Sequence, residues 1–233
     1  LHAVDNVSFS IMPGETMALV GESGCGKSTV GNLIMRLLSP TEGTLRYRGH
    51  DVFGAQGEEA LMLRTKMQMI FQDPFSSLNP RKTIYKILAE SFEIHKMGSA
   101  QEIRQRVEQL CDRVEVPKEL LSHYPHELDG GMRQVVGIAR ALSLNPDFIV
   151  CDEPVSALDV SIQARILNLL MDLQEERGIA YLFVSHDLSV VRHISKRVAV
   201  MYLGEIVEIA DTDEIFENTM HPYSIALLSA VPK

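Results

Sequence analysis

The chain has 233 residues, of which 45% are hydrophobic and 23% charged, and a formal net charge of −9. That length holds one large domain, or one domain with an inserted lobe, and the acidic balance argues against a general nucleic-acid binder, which would be basic. Cys25, Cys111 and Cys151 are widely spaced with no Cys-x-x-Cys pair; this excludes a disulfide framework or cysteine metal site and fits a reducing compartment.

No apolar run reaches the roughly 18–20 residues that span a bilayer, and no signal peptide is visible. The chain opens at Leu1 without Met and enters AVDNVSFSI (3–11) at once. That stretch alternates like a strand, so the chain is expected to be a fragment. TMALV (16–20) is a near-continuous apolar run, the pattern of a parallel strand buried on both faces.

GESGCGKST (21–29) follows that strand directly and opens a helical pattern over 27–38. Its glycines let backbone N–H groups wrap phosphates, and the helix N-terminus adds partial positive charge. In such a loop Lys27 reaches the β- and γ-phosphates and the Ser28 hydroxyl ligates Mg²⁺. A plain glycine-rich turn would not require strand, loop and helix in this order.

A second strand is predicted at KMQMIF (66–71), followed by the turn-rich DPFSSLNPR (73–81). From about 83 to 143 every pattern is helical, including TIYKILAESFEI and AQEIRQRVEQLCDRV. This reads as a helical lobe, residues 73–145, inserted into an α/β core formed by 1–72 and 146–233. No internal repeat or low-complexity segment is present.

FIVCD (148–152) is an apolar strand running into Asp152 and Glu153. Acids at the carboxyl end of a buried parallel strand stand where ligands bind in open α/β sheets. Asp152 would hold Mg²⁺ through water and Glu153 would polarise the attacking water. Taken alone the pattern equally describes solvated acids at a strand end; beside a phosphate loop it points to chemistry. A helix is predicted over 160–177, strands at IAYLFVS (179–185) and 198–202, and a helix over 187–194. His186 again follows a strand and could contact a γ-phosphate, whereas His95, His123, His193 and His221 read as structural.

The ordered set GESGCGKST, FQDP, ELDGGMRQ, FIVCDEP, SALD and SHD resembles the ATP-binding subunit of an ABC transporter over essentially the whole chain. HYPHE, EPVSALDVSIQA and HPYSIALLSAVP resemble more narrowly the F-type ATPase subunit of oligopeptide, dipeptide and nickel importers. The resemblance implies a P-loop NTPase core of ABC type with an antiparallel β subdomain and an inserted α-helical subdomain. It implies ATP and Mg²⁺ as ligands. Gly21, Glu22, Ser23, Gly24, Cys25, Gly26, Lys27, Ser28 and Thr29 would cradle the phosphates, and Ser28 with Gln72 would ligate Mg²⁺, supported by Asp152. Glu153 would be the catalytic base and His186 the γ-phosphate sensor. Ser156 and Asp159 would lie in a loop at the interface between two ATPase subunits.

The same resemblance implies ATP sandwiched between two such subunits, identical or different, and two transmembrane permease subunits. It also implies an extracytoplasmic binding protein acting indirectly, no nucleic acid, and a place on the cytoplasmic face of a prokaryotic membrane. An aromatic adenine platform would fall ahead of Leu1. Two other functional classes remain open at this point: an ABC-type ATPase acting on ribosomes or DNA, and an ATP-sensing module with one non-hydrolytic site. The first is disfavoured by the acidic charge, the second by the intact Lys27, Asp152, Glu153 and His186.

One departure stands out. The signature segment that faces the partner's ATP usually reads Leu-Ser-Gly-Gly-Gln; here it is Leu128, Asp129, Gly130, Gly131, Met132. Asp129 is expected to cap the helix 130–143, a role in which Asp matches Ser at about 1 kcal/mol. An ionised Asp, however, can only accept hydrogen bonds. At about 4 Å from a phosphate charge it would be repelled by about 4 kcal/mol at an effective dielectric near 20. The expectation is an impaired signature half-site beside a competent phosphate loop.

Overall fold

The computed structural model describes residues 3–73 and 77–229. The middle of the turn-rich stretch, Pro74 to Ser76, lies outside the described residues. Eight strands are assigned among them: β1 Thr16–Val20, β2 Arg46–Tyr47, β3 His50–Asp51, β4 Met67–Ile70, β5 Phe148–Asp152, β6 Ala180–Val184, β7 Arg197–Tyr202 and β8 Glu205–Asp211. Six of these form one sheet in the order β4-β5-β6-β1-β7-β8. All neighbours are parallel except β7 and β8, which are antiparallel. β2 and β3 form a separate antiparallel pair of two residues each.

The helices are α1 Lys27–Ile34, α2 Gly57–Lys66, α3 Ile84–Ile94, α4 Ala100–Val114, α5 Gly130–Leu142, α6 Val160–Arg177, α7 Leu188–Ile194, α8 Thr212–Asn218 and α9 Pro222–Ser229. Short 3₁₀ turns at Lys118–Ser122 and Pro125–Glu127 join α4 to α5. Local chemistry sets several of the boundaries. Ser99 and Glu102 form a reciprocal capping box at the start of α4, and Glu115 ends that helix in the left-handed conformation. Gly178 closes α6 in the same way, at φ 65°.

The alternation within β5 decides what each face of the sheet covers. Ile149 and Cys151 join a buried cluster with Tyr181 and Phe183 on one side, packed by α3 to α6; Val150 faces α1 and α2 with Leu182 and Val184. Burial on both faces explains the near-continuous apolar runs of β1, β5 and β6. A third cluster joins Ala18 and Val20 of β1 to Val198 and Val200 of β7 under α7 and α8.

The structure differs from the expectations in four places. The helix expected over 27–38 stops at Ile34, because Arg36 turns into the left-handed region at φ 57°. AVDNVSFSI alternates in burial as expected, with Val7, Phe9 and Ile11 packed on the second cluster, yet no strand is assigned there. Alternation reports a one-sided apolar surface; a strand also needs a ladder partner. Neither α2 at 57–66 nor the β8, α8 and α9 segment at 205–229 was anticipated as regular structure.

Candidate active site

Four parallel strands bring their carboxyl ends to one edge of the sheet. β1 runs into the loop 21–26, β4 into Phe71 and Gln72, β5 into Glu153, and β6 into Ser185 and His186. The positions picked out by motif are thereby gathered from four distant parts of the sequence.

The loop is held in a conformation that glycine alone permits at two points. A Cβ on Gly21 (φ 152°) would lie 2.2 Å from the Met201 carbonyl oxygen, and one on Gly26 (φ 113°) 2.2 Å from that of Ala3. Gly26 is the N-cap of α1 and offers no side chain to the first helical N–H groups. Those donors are therefore free for an anion. Lys27 is buried, and its Nζ donates to the carbonyl oxygens of Gly21 and Glu22, each at 2.8 Å. A buried ammonium with carbonyl partners and no carboxylate is a site built to receive negative charge.

The Ser28 hydroxyl donates to Asp152 Oδ1 at 2.9 Å. Asp152 is 7% exposed. Burial pushes its carboxyl above the ordinary range, against the opposing pull of the Ser28 bond; Glu153 raises it further and Lys27 lowers it. Among the described residues no group of three His, Cys, Asp or Glu could hold a metal ion unaided. The Ser28 and Asp152 oxygens beside an anion cradle do suit Mg²⁺, a hard cation that takes few protein ligands and completes its shell with phosphate oxygens and water.

Glu153 has a backbone φ of 45°, in the left-handed region disfavoured for a residue with a Cβ. Its N–H still pairs with the Val184 carbonyl at 2.9 Å, which extends the β5–β6 ladder by one residue. The turn lifts the side chain off the strand, and its two oxygens meet different partners. Gln72 Nε2 donates to Oε2 at 2.9 Å, and His186 Nδ1 lies 3.1 Å from Oε1. Strain of this kind persists where the surroundings over-determine it, and such positions cluster at functional sites.

The signature segment lies elsewhere. No hydrogen bond or ion pair among the described residues ties 128–132 to the loop 21–29. Asp129 caps α5 as expected: its Oδ1 accepts from the Met132 N–H at 2.7 Å, and the helix runs to Leu142. A Cβ on Gly131 would lie 2.7 Å from Ile162 Cδ1, so that glycine lets α5 pack against α6. Asp159 caps α6 by accepting from Ile162 N, and bonds from the Ser161 hydroxyl and that amide hold its carboxyl below the usual range. The Ser156 hydroxyl donates to the Glu153 carbonyl oxygen at 3.2 Å.

One contact of the loop had no signal in its own sequence. The Glu22 N–H donates to the Tyr223 hydroxyl at 3.0 Å, across 201 residues.

Comparison with known proteins places the sequence and its fold. Residues 4–156 match the family model described as ABC transporter, and residues 207–233 match one described as oligopeptide/dipeptide transporter, C-terminal region. The chain is 53% identical over 234 residues to the oligopeptide transport ATP-binding protein OppF of Bacillus subtilis (strain 168), covering 100% of this chain and 77% of that protein. With AppF, another oligopeptide transport ATP-binding protein of the same strain, it shares 54% identity over 233 residues, 100% of this chain and 71% of the relative. Among solved structures, a dimeric ATP-binding cassette in a post-hydrolysis state bound to ADP and phosphate superposes with a TM-score of 0.81, at 32% identity and over 90% of each chain.

Proposed function

This chain belongs to the ABC transporter family as one of its ATPases, and from that premise we propose that it powers peptide import through a membrane permease. The match of residues 207–233 to an oligopeptide/dipeptide transporter region supports peptide over nickel as cargo. Oligopeptide transport, named for two relatives that match this chain over its whole length and over 77% and 71% of their own, supports the same reading. Among the described residues no helix is long and apolar enough to cross a membrane, so in this reading the chain docks on two permease subunits at the cytoplasmic face. Residues 73–145 form the lobe that meets the permease, and an extracytoplasmic binding protein acts through it.

The observation that carries the catalytic reading is the clasp on Glu153 by Gln72 and His186. The phosphates of ATP rest on the amides of residues 21–29 and the N-terminus of α1, and Lys27 exchanges loop carbonyls for phosphate oxygens. Ser28 and Gln72, with Asp152 behind them, would hold Mg²⁺, which would supply charge neutralisation at those oxygens. Gln72 and His186 fix both oxygens of Glu153 so that the carboxylate aligns a water for attack on the γ-phosphorus. Positioning and charge neutralisation are most of what phosphoryl transfer requires of a protein.

ATP is sandwiched between this chain and a second ATPase subunit, whose signature segment closes over the loop. The dimeric cassette among the structural relatives supports that arrangement. Asp129 bears on the reciprocal site. Its side chain is committed to the α5 cap, and a carboxylate there can only accept hydrogen bonds where a serine hydroxyl would donate, so the partner's ATP meets a weakened half-site.

Glu153→Gln in the assembled transporter tests the catalytic reading. Hydrolysis should fall at least about 100-fold while ATP binding persists; a wild-type rate would overturn it. Uptake by proteoliposomes tests the cargo: ATP-dependent peptide accumulation is expected, and nickel uptake without peptide uptake would refute it.

A further inference from the structure

We propose that Tyr223 is a positioning residue for ATP binding, its hydroxyl fixing the phosphate loop through the Glu22 N–H. The inference rests on reading residues 21–29 as the phosphate loop. It adds a residue outside every motif of the site, contributed by the C-terminal helix α9.

Both polar groups of the Glu22 peptide flanks are engaged. The N–H goes to Tyr223 at 3.0 Å, and the carbonyl oxygen accepts from Lys27 Nζ at 2.8 Å. A displacement of Glu22 therefore moves an anchor of the lysine meant for the phosphates. The neighbouring carbonyl, that of Cys25, is held by the Gly204 N–H at 2.9 Å. The loop is thus pinned from outside at two points, at Tyr223 and just past the end of β7.

The hydroxyl is itself held in place. The Tyr223 ring packs on Tyr202 of β7 with centroids 4.3 Å apart and against the cluster that contains Ala18 and Val20 of β1. The same strand β1 carries the loop. Just ahead of Tyr223 the backbone is fastened to Glu208 of β8, whose carboxylate accepts from Met220 N at 2.9 Å, His221 N at 3.2 Å and the Thr219 hydroxyl at 2.8 Å. Tyr223 N donates in turn to His221 Nδ1 at 3.2 Å. Three connected layers therefore fix a phenol against one loop amide: a carboxylate on an edge strand, a turn, and an aromatic pair. Glu208, His221 and Tyr223 belong to the stretch matched by the C-terminal model, whereas the loop belongs to the stretch matched by the general model. The contact joins the two.

Tyr223→Phe keeps the ring and removes only the hydroxyl. In the assembled transporter, KM for ATP and the dissociation constant of a fluorescent ATP analogue should rise about three- to tenfold. The turnover number and melting temperature should change little, a split that a merely structural role would not produce. Glu22→Pro deletes the same bond from the other side. In that background Tyr223→Phe should have no further effect on KM, because the two changes remove one interaction. An unchanged KM in Tyr223→Phe, or additive effects in the double variant, would overturn the role of Tyr223. Lys27→Ala separates the two levels. Lost ATP binding there with an unchanged KM in Tyr223→Phe rejects Tyr223 alone, whereas intact binding in Lys27→Ala rejects the phosphate-loop reading and this inference with it.

Discussion

The hydroxyl of Ser28 and the carboxylate of Asp152, 124 residues apart in sequence, share a hydrogen bond of 2.9 Å. It closes the gap between the loop after β1 and the end of β5, two strands separated in the sheet by β6. A buried carboxyl satisfied by one hydroxyl is awaiting something more positive than a serine.

That relationship sets a pH dependence. The Asp152 carboxyl is raised in the folded state, so folding binds its proton more tightly than the unfolded chain does. Its contribution to stability is therefore most favourable below the unfolded value, about 3.9, and is lost as pH rises through the folded value. Asp152→Asn should raise the melting temperature of the nucleotide-free protein by a few degrees at pH 7 and flatten its decline above pH 4 or so. The same variant should lose Mg²⁺-dependent ATP hydrolysis. Melting curves across pH, with and without nucleotide, check both halves.

Gly26→Ala should be among the most damaging small changes in the chain. The new methyl would meet the Ala3 carbonyl oxygen at 2.2 Å in a backbone conformation, φ 113°, that alanine disfavours. A loss of about 2–3 kcal/mol or more is expected from the strain alone, and ATP binding should vanish. Urea unfolding and nucleotide titration provide the measurements.

Asp129→Ser preserves the cap on α5 and should leave stability within about 0.5 kcal/mol, whereas Asp129→Ala should cost about 1 kcal/mol. In the assembled transporter Asp129→Ser should increase the ATPase rate by restoring a hydroxyl donor to the partner's site. Unchanged rates together with unchanged ATP-driven dimerisation would sink the idea. The isolated chain is a poor sample for this, because low activity there would report a missing partner.

Gly137 sits within α5, and a Cβ there would meet nothing within 4 Å. Gly137→Ala should stabilise the protein by about 0.5–1 kcal/mol through reduced freedom of the unfolded chain and better helix propensity. Its ATPase rate offers a useful contrast with Gly26→Ala: equal residues, opposite outcomes, decided by space and backbone angle.

Much of the sheet could be read in advance because burial on both faces imposes an uninterrupted apolar run. TMALV and FIVCD coincide with β1 and β5, and α6 runs over 160–177 as its pattern indicated. The loop, the two acids and His186 were legible because each follows such a run. β8 was hidden by its position at the sheet edge, where its residues are mostly half-buried and mix charge with apolar groups in EIVEIAD. The end of α1 depended on one left-handed residue, Arg36, which has no compositional signature. Tyr223 was legible only as part of a resemblance. Its contact with Glu22 spans 201 positions, and nothing local encodes a partner that far away.

The buried cluster that holds Phe92, Val107 and Val114 of the helical stretch also holds Ile149, Tyr181 and Phe183 of the sheet, with no break between them. Helices α3 to α5 consequently have no interior of their own to melt around. Unfolding of that stretch and of the sheet should therefore be one cooperative event, and a nucleotide bound at the carboxyl end of β1 should raise the opening free energy of both. Slowed amide exchange in α4 on adding ATP would be the visible trace of that shared interior.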